Sequence, residues 1–139
     1  MFKNGRQGMA DTATANFTVT AWEEQPFDGE TNGVKITQAL VSKSYNGSIN
    51  GMGSVIYIMN HASDGTATFI GLQQINGTLN EKNGSFAIEQ TGSFDGKEVQ
   101  GTFIVKEGSG TGELSTISGK GTFIAPIGKI GTLQLEFDL

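Results

Sequence analysis

The chain has 139 residues, enough for one domain with a buried core. It holds 21 Gly against two Pro, no Cys, and a net charge of −5. The missing Cys excludes disulfides, thiolate metal sites and thiol nucleophiles together, and an acidic chain without a basic stripe points away from nucleic acid.

Lys3 and Arg6 precede no apolar run, so the start of the chain does not read as a signal peptide. Residues 1–12 are expected to be a disordered or non-native tail and residues 13–139 a single domain. No apolar stretch approaches the length of a transmembrane helix, so no membrane partner is expected and the cytoplasm is the default compartment.

Turn signals are dense from there on. Asn-Gly occurs at residues 4, 32, 46, 50, 76 and 83, and Asp-Gly at 28, 64 and 95. Both dipeptides accept positive φ at the centre of a hairpin turn. Between them lie runs rich in β-branched and aromatic residues. The runs predict strands over 15–24, 35–45, 53–61, 66–79, 84–94, 98–106, 119–125 and 132–139. Residues 109–118 read as an irregular link with room for one helical turn.

Alternation assigns the faces. Phe86, Ile88 and Gln90 share one side, Phe103 and Val105 another, and Leu133, Leu135, Phe137 and Leu139 oppose Gln134, Glu136 and Asp138. No segment shows a helical period. The fold class is therefore all-β, an eight-stranded antiparallel barrel in meander order. Phe17, Phe69, Phe86, Phe103, Phe123, Leu135 and Phe137 are the predicted core. A Gly-[Ser/Thr]-Phe tripeptide recurs at residues 84, 92, 101 and 121. Its spacing is too irregular for a solenoid or propeller. It reads as strand grammar, in which Gly allows close approach, the middle residue faces out and Phe fills the interior.

Most motifs that resemble chemistry reduce to structure. The run Gly108-Ser109-Gly110-Thr111-Gly112-Glu113 lacks the Gly-Lys-[Ser/Thr] ending of a phosphate loop and the third Gly of a dinucleotide fingerprint, and reads as a Gly-rich turn. His61 is the single histidine; beside Ser63 and Asp64 in a turn it makes no triad and reads as an exposed hairpin residue. With one His and no Cys, no metal site and no cofactor are expected. The sequons at Asn16, Asn46, Asn76 and Asn83 coincide with hairpin signals or strand residues.

Two features remain. Trp22 breaks the parity set by Phe17 and Val19, which predicts a bulge near Ala21 and puts Trp22 and Glu24 on one face. Tyr57, Gln73 and Gln90 follow Val55, Phe69 and Phe86 on inward faces. Buried amides and phenols must either satisfy one another or line a wet cavity.

The order of these pieces resembles a family of uncharacterised bacterial proteins, DUF3224, whose barrel is like that of plant allene oxide cyclase. The resemblance runs from about residue 13 to the end. It is carried by Phe17-Thr18-Val19 with Trp22 and Glu24, Tyr45-Asn46-Gly47, the 66–72 run Thr-Ala-Thr-Phe-Ile-Gly-Leu, Gly77-Thr78-Leu79, Gly84-Ser85-Phe86, Thr91-Gly92, the 109–114 run, Gly119-Lys120-Gly121, and the closing 135–139 run. It implies the fold and no established activity. It also implies amides at Gln73 and Gln90 where relatives carry a Glu and a His, which counts against acid–base chemistry. A cyclase role would follow only from fold analogy.

The expected function is binding of a small, largely apolar molecule in the lumen, with Trp22, Glu24, Tyr57, Phe69, Gln73, Gln90 and Glu113 as its ligand-binding residues. The site is expected at one mouth, between Trp22-Glu24 and the 109–114 turn. A cofactor-free isomerase using Glu24 or Glu113 is the alternative, with one carboxyl titrating above its ordinary range. A filled barrel serving as an oligomeric module is the third, and a homodimer through Thr18 and Thr20 or Thr102 and Ile104 is the partner expected for it.

Overall fold

The computed structural model describes residues 11–27 and 33–139. Nine strands follow in chain order: β1 Asp11–Pro26, β2 Lys35–Gly47, β3 Ile49–His61, β4 Ala67–Leu79, β5 Lys82–Phe94, β6 Glu98–Val105, β7 Thr111–Gly112, β8 Ser118–Pro126 and β9 Gly131–Asp138. Every pairing is antiparallel. Eight strands close a meander barrel, with β9 returning to β1, while the two-residue β7 clips onto the start of β5. Closure leaves the barrel without two free sheet edges, which is how a small sheet avoids edge-to-edge association. No helix occurs among the described residues, and none is long and apolar enough to cross a membrane.

Two boundaries differ from the sequence reading. The expected tail falls on residues 1–10, which lie outside the described residues, and on Asp11 and Thr12, which already pair with Phe137 and Glu136 in β1. The turns are also fewer than the dipeptides. Asn50-Gly51, Asn76-Gly77 and Asn83-Gly84 lie within strands. Gly51 and Gly77 face each other across β3 and β4 at φ 153° and 151°, where any side chain would strike the opposite backbone. The β4–β5 turn uses Asn80 and Glu81 instead, both at positive φ (48° and 71°). That is the backbone of a type I′ hairpin, which suits the right-handed strand twist. Asn4-Gly5, Asp28-Gly29 and the Asn of Asn32-Gly33 lie outside the described residues.

Closing a barrel requires strands to tilt, so the hydrogen-bond register is staggered. The row of cross-strand partners that leaves β1 at Ala13 passes Leu135, Gly121, Phe103, Gln90, Gly71, Tyr57 and Ala39, and meets β1 again at Glu24. β1 is long because it serves its two neighbours at different heights. Its pairing with β9 ends at Phe17, whereas its pairing with β2 runs on to Pro26. β5 has the matching problem at the opposite end, because β6 reaches it only from Ile88 onward.

The two ends resolve this differently. At the lower end, residues 106–117 cover the free edge of β5. The Ser85 N–H donates to Thr111 Oγ1 (3.0 Å), the Ala87 N–H to Ser109 Oγ (3.0 Å) and the Asn83 N–H to Glu113 Oε1 (2.9 Å). Leu114 and Ile117 from this loop are fully buried with Ile49, Leu79, Phe86 and Phe137. At the upper end, no described segment pairs with the β9-facing edge of residues 18–26. Among the described residues, the edge of β5 is covered below and the β1 edge is unpaired above.

All seven expected core residues are buried. The tripeptide echo has a direct physical meaning. Gly101-Thr102-Phe103 on β6 pairs head to tail with Gly121-Thr122-Phe123 on β8, so each Phe faces the other's Gly. A methyl at Gly121 would collide with the Phe103 ring, and one at Gly101 with Phe123. Phe69 over Gly92, Tyr57 over Gly71 and Phe17 over Gly131 repeat the arrangement on other strand pairs. Gly121→Ala should therefore destabilise the fold by roughly 1–3 kcal/mol through overpacking. Phe103→Ala should cost roughly 3–5 kcal/mol through lost transfer energy and a cavity. At Gly121 an added methyl also strikes the Gln134 carbonyl oxygen, whereas at Gly131 it meets the Phe17 ring alone. In urea unfolding, Gly131→Ala combined with Phe17→Leu should therefore cost clearly less than the sum of the single changes; strict additivity would show that this ring and glycine do not share space.

Candidate functional site at the upper end of the barrel

The upper end starts from a register shift in β1. The pairing slips between Val19 and Ala21, so Thr20 is the extra residue of a bulge, where parity had placed one. The bulge leaves Trp22 opposite Val41 and Glu24 opposite Ala39, both inward positions of β2. Trp22 is 46% exposed and leans over Tyr57, with ring centroids 6.2 Å apart. Below it, Tyr57 meets Phe69 edge-on at 5.0 Å, and Phe69 meets Phe123 at 6.3 Å. The rings form a continuous column from the mouth into the lumen.

Glu24 holds the mouth together. Trp22 Nε1–H donates to its Oε1 (3.0 Å) and the Thr37 hydroxyl to its Oε2. His61 Nε2 lies 2.8 Å from the same Oε2 and 3.2 Å from Thr37 Oγ1. His61 thus ends β3 as a partly covered partner of Glu24 rather than a free hairpin residue. Both of its contacts use one ring nitrogen, whereas a proton relay needs the two different nitrogens. The cluster is a clasp and not a triad. Partial burial pushes the Glu24 carboxyl up, but hydrogen bonds from Thr37, Trp22 and His61 outweigh it and hold the group below the usual carboxylate range. A general acid needs the opposite shift.

Deeper in, the buried polar residues satisfy one another in a chain. Tyr45 Oη–H donates to Gln73 Oε1 (2.7 Å), Gln73 Nε2 to Gln90 Oε1 (2.9 Å), and Gln90 Nε2 to Tyr57 Oη (3.2 Å). Burial raises both phenols, Tyr45 also through its neighbour Tyr57, and the amide hydrogen bonds only partly offset this. The chain ends on a charge. Lys43 Nζ donates to Tyr57 Oη (2.9 Å) and lies 4.7 Å from the Phe17 ring centroid, 5.5 Å from Tyr57 and 5.6 Å from Phe123. Its side chain is 4% exposed, and no carboxylate among the described residues pairs with it. Burial lowers its pKa to about 8.

Six of the seven expected site residues, Trp22, Glu24, Tyr57, Phe69, Gln73 and Gln90, gather in this upper half. Glu113 does not. It sits at the lower end, where its carboxylate caps the Asn83 N–H and its own N–H bonds Asn83 O (2.8 Å), so the expected mouth between Glu24 and the 109–114 turn is not formed. The Gly-rich turn is needed below, on the edge of β5 that β6 leaves free. Sequence reasoning missed Lys43, although the signal was present: Lys43 alternates with Ala39, Val41 and Tyr45 on the inward face of β2. No group of three or more His, Asp or Glu that could hold a metal ion occurs among the described residues.

A buried lysine without a counter-charge should lower stability. The folded chain releases this proton near pH 8 and the unfolded chain near 10.5, so the unfolded state binds more protons in between. Stability should rise with pH across that interval, with the full penalty present below it. Lys43→Met should therefore stabilise the protein at pH 7 by up to about 3 kcal/mol. The gain should shrink between about pH 8 and 10, below the range where the tyrosines titrate. Thermal melts of both proteins across this range check the sign; a pH-independent difference would place the ammonium in a solvated setting.

No curated protein matches the chain. Among solved structures it is similar to a protein of unknown function of the DUF3224 family from Shewanella oneidensis MR-1. The two share 18% identity at a TM-score of 0.71, over 91% of this chain and 95% of the other. That likeness is one of fold. The family described as "Protein of unknown function (DUF3224)" matches residues 13–139, and the chain belongs to that family.

Proposed function

We propose that the barrel binds a small, largely apolar molecule at its upper end, beneath Trp22, with the polar end of the molecule turned toward Lys43 and Tyr57. The observation that carries this reading is Lys43 itself. A barrel filled for stability alone would place an apolar side chain there, since an unpaired buried ammonium is costly. Such arrangements mark sites where stability is given up for function. The unpaired β1 edge at residues 18–26 supports a route in, and the Trp22–Glu24–Thr37–His61 clasp supports a lid that can lift. The aromatic column supplies an apolar wall with few polar groups, the usual composition of a small-molecule site. The cyclase alternative loses its acid, because Glu24 is held ionised and Glu113 is occupied elsewhere.

Trp22 is the single tryptophan and stands at the mouth. Its emission should shift in a saturable way on titration with fatty acids, terpenoids or aromatic acids. Glu24→Gln should weaken the anchor of the indole and speed ligand release. Flat titrations across all three classes, together with no small molecule retained in native mass spectrometry, would overturn the reading.

A second reading, self-association, rests on the outer face. Leu40, Ile56 and Leu72 lie side by side in register across β2, β3 and β4, and each is 40–50% exposed. Ile58 and Ile70 extend the patch. This is a broader apolar surface than the Thr18, Thr20, Thr102 and Ile104 positions expected from sequence, and patches of this kind are a common basis for two-fold contacts. Light scattering should give a dimer mass that Ile56→Lys reduces to the monomer; a monomer at all concentrations removes this reading.

A further inference from the structure

We propose that the Lys43 amine condenses with the aldehyde or ketone group of the apolar molecule in the lumen, forming an imine within the cage of Phe17, Tyr57 and Phe123. The inference rests on the lumen-binding reading above and names the chemical class of the ligand.

The geometry distinguishes a carbonyl from the other polar end that a lysine could meet. A carboxylate needs an ammonium, and it is held best by several charge-assisted donors. Here the cage consists of the rings of Phe17, Tyr57 and Phe123, one of them a phenol, and among the described residues no second cation joins Lys43 there. Those surroundings disfavour the charged form, as the pKa of about 8 reflects. An imine needs the neutral amine as nucleophile, and a desolvating pocket is one way of supplying it. The titratable groups facing Nζ are Tyr57 directly and Tyr45 through the amide chain; no described carboxylate faces it.

Tyr57 is placed to handle the oxygen. The Nζ lone pair adds to the carbonyl carbon, and the C=O π pair moves to oxygen, which takes the Tyr57 proton. The nitrogen returns a proton to Tyr57, leaving a neutral carbinolamine. The nitrogen lone pair then forms the C=N bond as the C–O bond breaks, and the leaving hydroxyl takes a proton through Tyr57 to depart as water. The iminium N–H proton then returns to the Tyr57 phenolate, which leaves the neutral imine, one water and Tyr57 in its starting form. No oxidant or reductant is consumed. Gln90, held by Gln73, fixes the Tyr57 hydroxyl at 3.2 Å and so acts as a positioning residue.

The test uses one chain length with three ends: octanal, 1-octanol and octanoate, each with the full-length protein at pH 7.5. Octanal plus cyanoborohydride should add a single increment equal to octanal less one oxygen, mapped by peptide mass to Lys43. Labelling there should outpace every surface lysine by roughly tenfold or more, because a pKa near 8 leaves far more neutral amine than one near 10.4. Its rate should rise with pH and level off near 8, while surface lysines keep climbing. Tyr57→Phe should slow trapping by a larger factor than it weakens 1-octanol binding followed by Trp22 emission, since a role in binding alone would change both equally. Lys43→Arg and Lys43→Met should abolish trapping while keeping the β-sheet circular dichroism spectrum and a cooperative melt, so loss of the adduct cannot be mistaken for misfolding. If 1-octanol and octanoate bind but octanal yields no adduct at Lys43, the imine is overturned and the lumen reading stands. Adducts spread over surface lysines overturn it equally. If none of the three binds, both readings fall.

Discussion

Five aromatic rings in this barrel each lie over a glycine on the neighbouring strand, and much of the molecule follows from that contact. A ring fills the volume that a missing side chain leaves, so the ring and the glycine must stay opposite one another. A one-residue slip would turn every inward side chain out, so these pairs fix the register as well as the packing. The reciprocal pair on β6 and β8 locks two copies of one tripeptide together. Tyr57 is one of the five rings. The packing that closes the barrel therefore also sets the phenol at the centre of the buried polar chain.

Stagger is the second constraint, and it makes the two ends unlike. Tilted strands leave β5 short of a partner below and β1 short of one above. The 106–117 loop satisfies the lower edge and pushes Leu114 and Ile117 into the lumen. Nothing comparable covers residues 18–26 among the described residues, and a bulge there turns Trp22 and Glu24 over the opening. The structural asymmetry of the two ends is thus a consequence of the closure geometry.

The polar interior divides into a neutral part and a charged end. Tyr45, Gln73, Gln90 and Tyr57 are linked in one hydrogen-bonded chain, whose last oxygen, Tyr57 Oη, accepts from both Gln90 and Lys43. Lys43 is different. Its one hydrogen-bond partner is neutral, and its cation–π contacts recover only part of its lost hydration. The carboxylate at the mouth, Glu24, is engaged by His61 and Thr37.

The sequence by itself determined the all-β class, the meander order, the inward Phe set, the bulge near Ala21 and the buried amides. Each of these is written in a period of two or in a local break of it, which one strand carries alone. It did not determine which Asn-Gly pairs would turn the chain, because Gly51 and Gly77 answer to the backbone across the sheet and not to their neighbours in sequence. It could place Lys43 on the inward face by alternation, but not say that three rings from β1, β3 and β8, one of them a phenol, would surround it. Nor could it tell that Glu24 and Glu113 stand at opposite ends, since height in a barrel depends on the stagger accumulated over all eight strands. Those facts belong to the tertiary structure, because they arise from contacts between residues far apart in the chain.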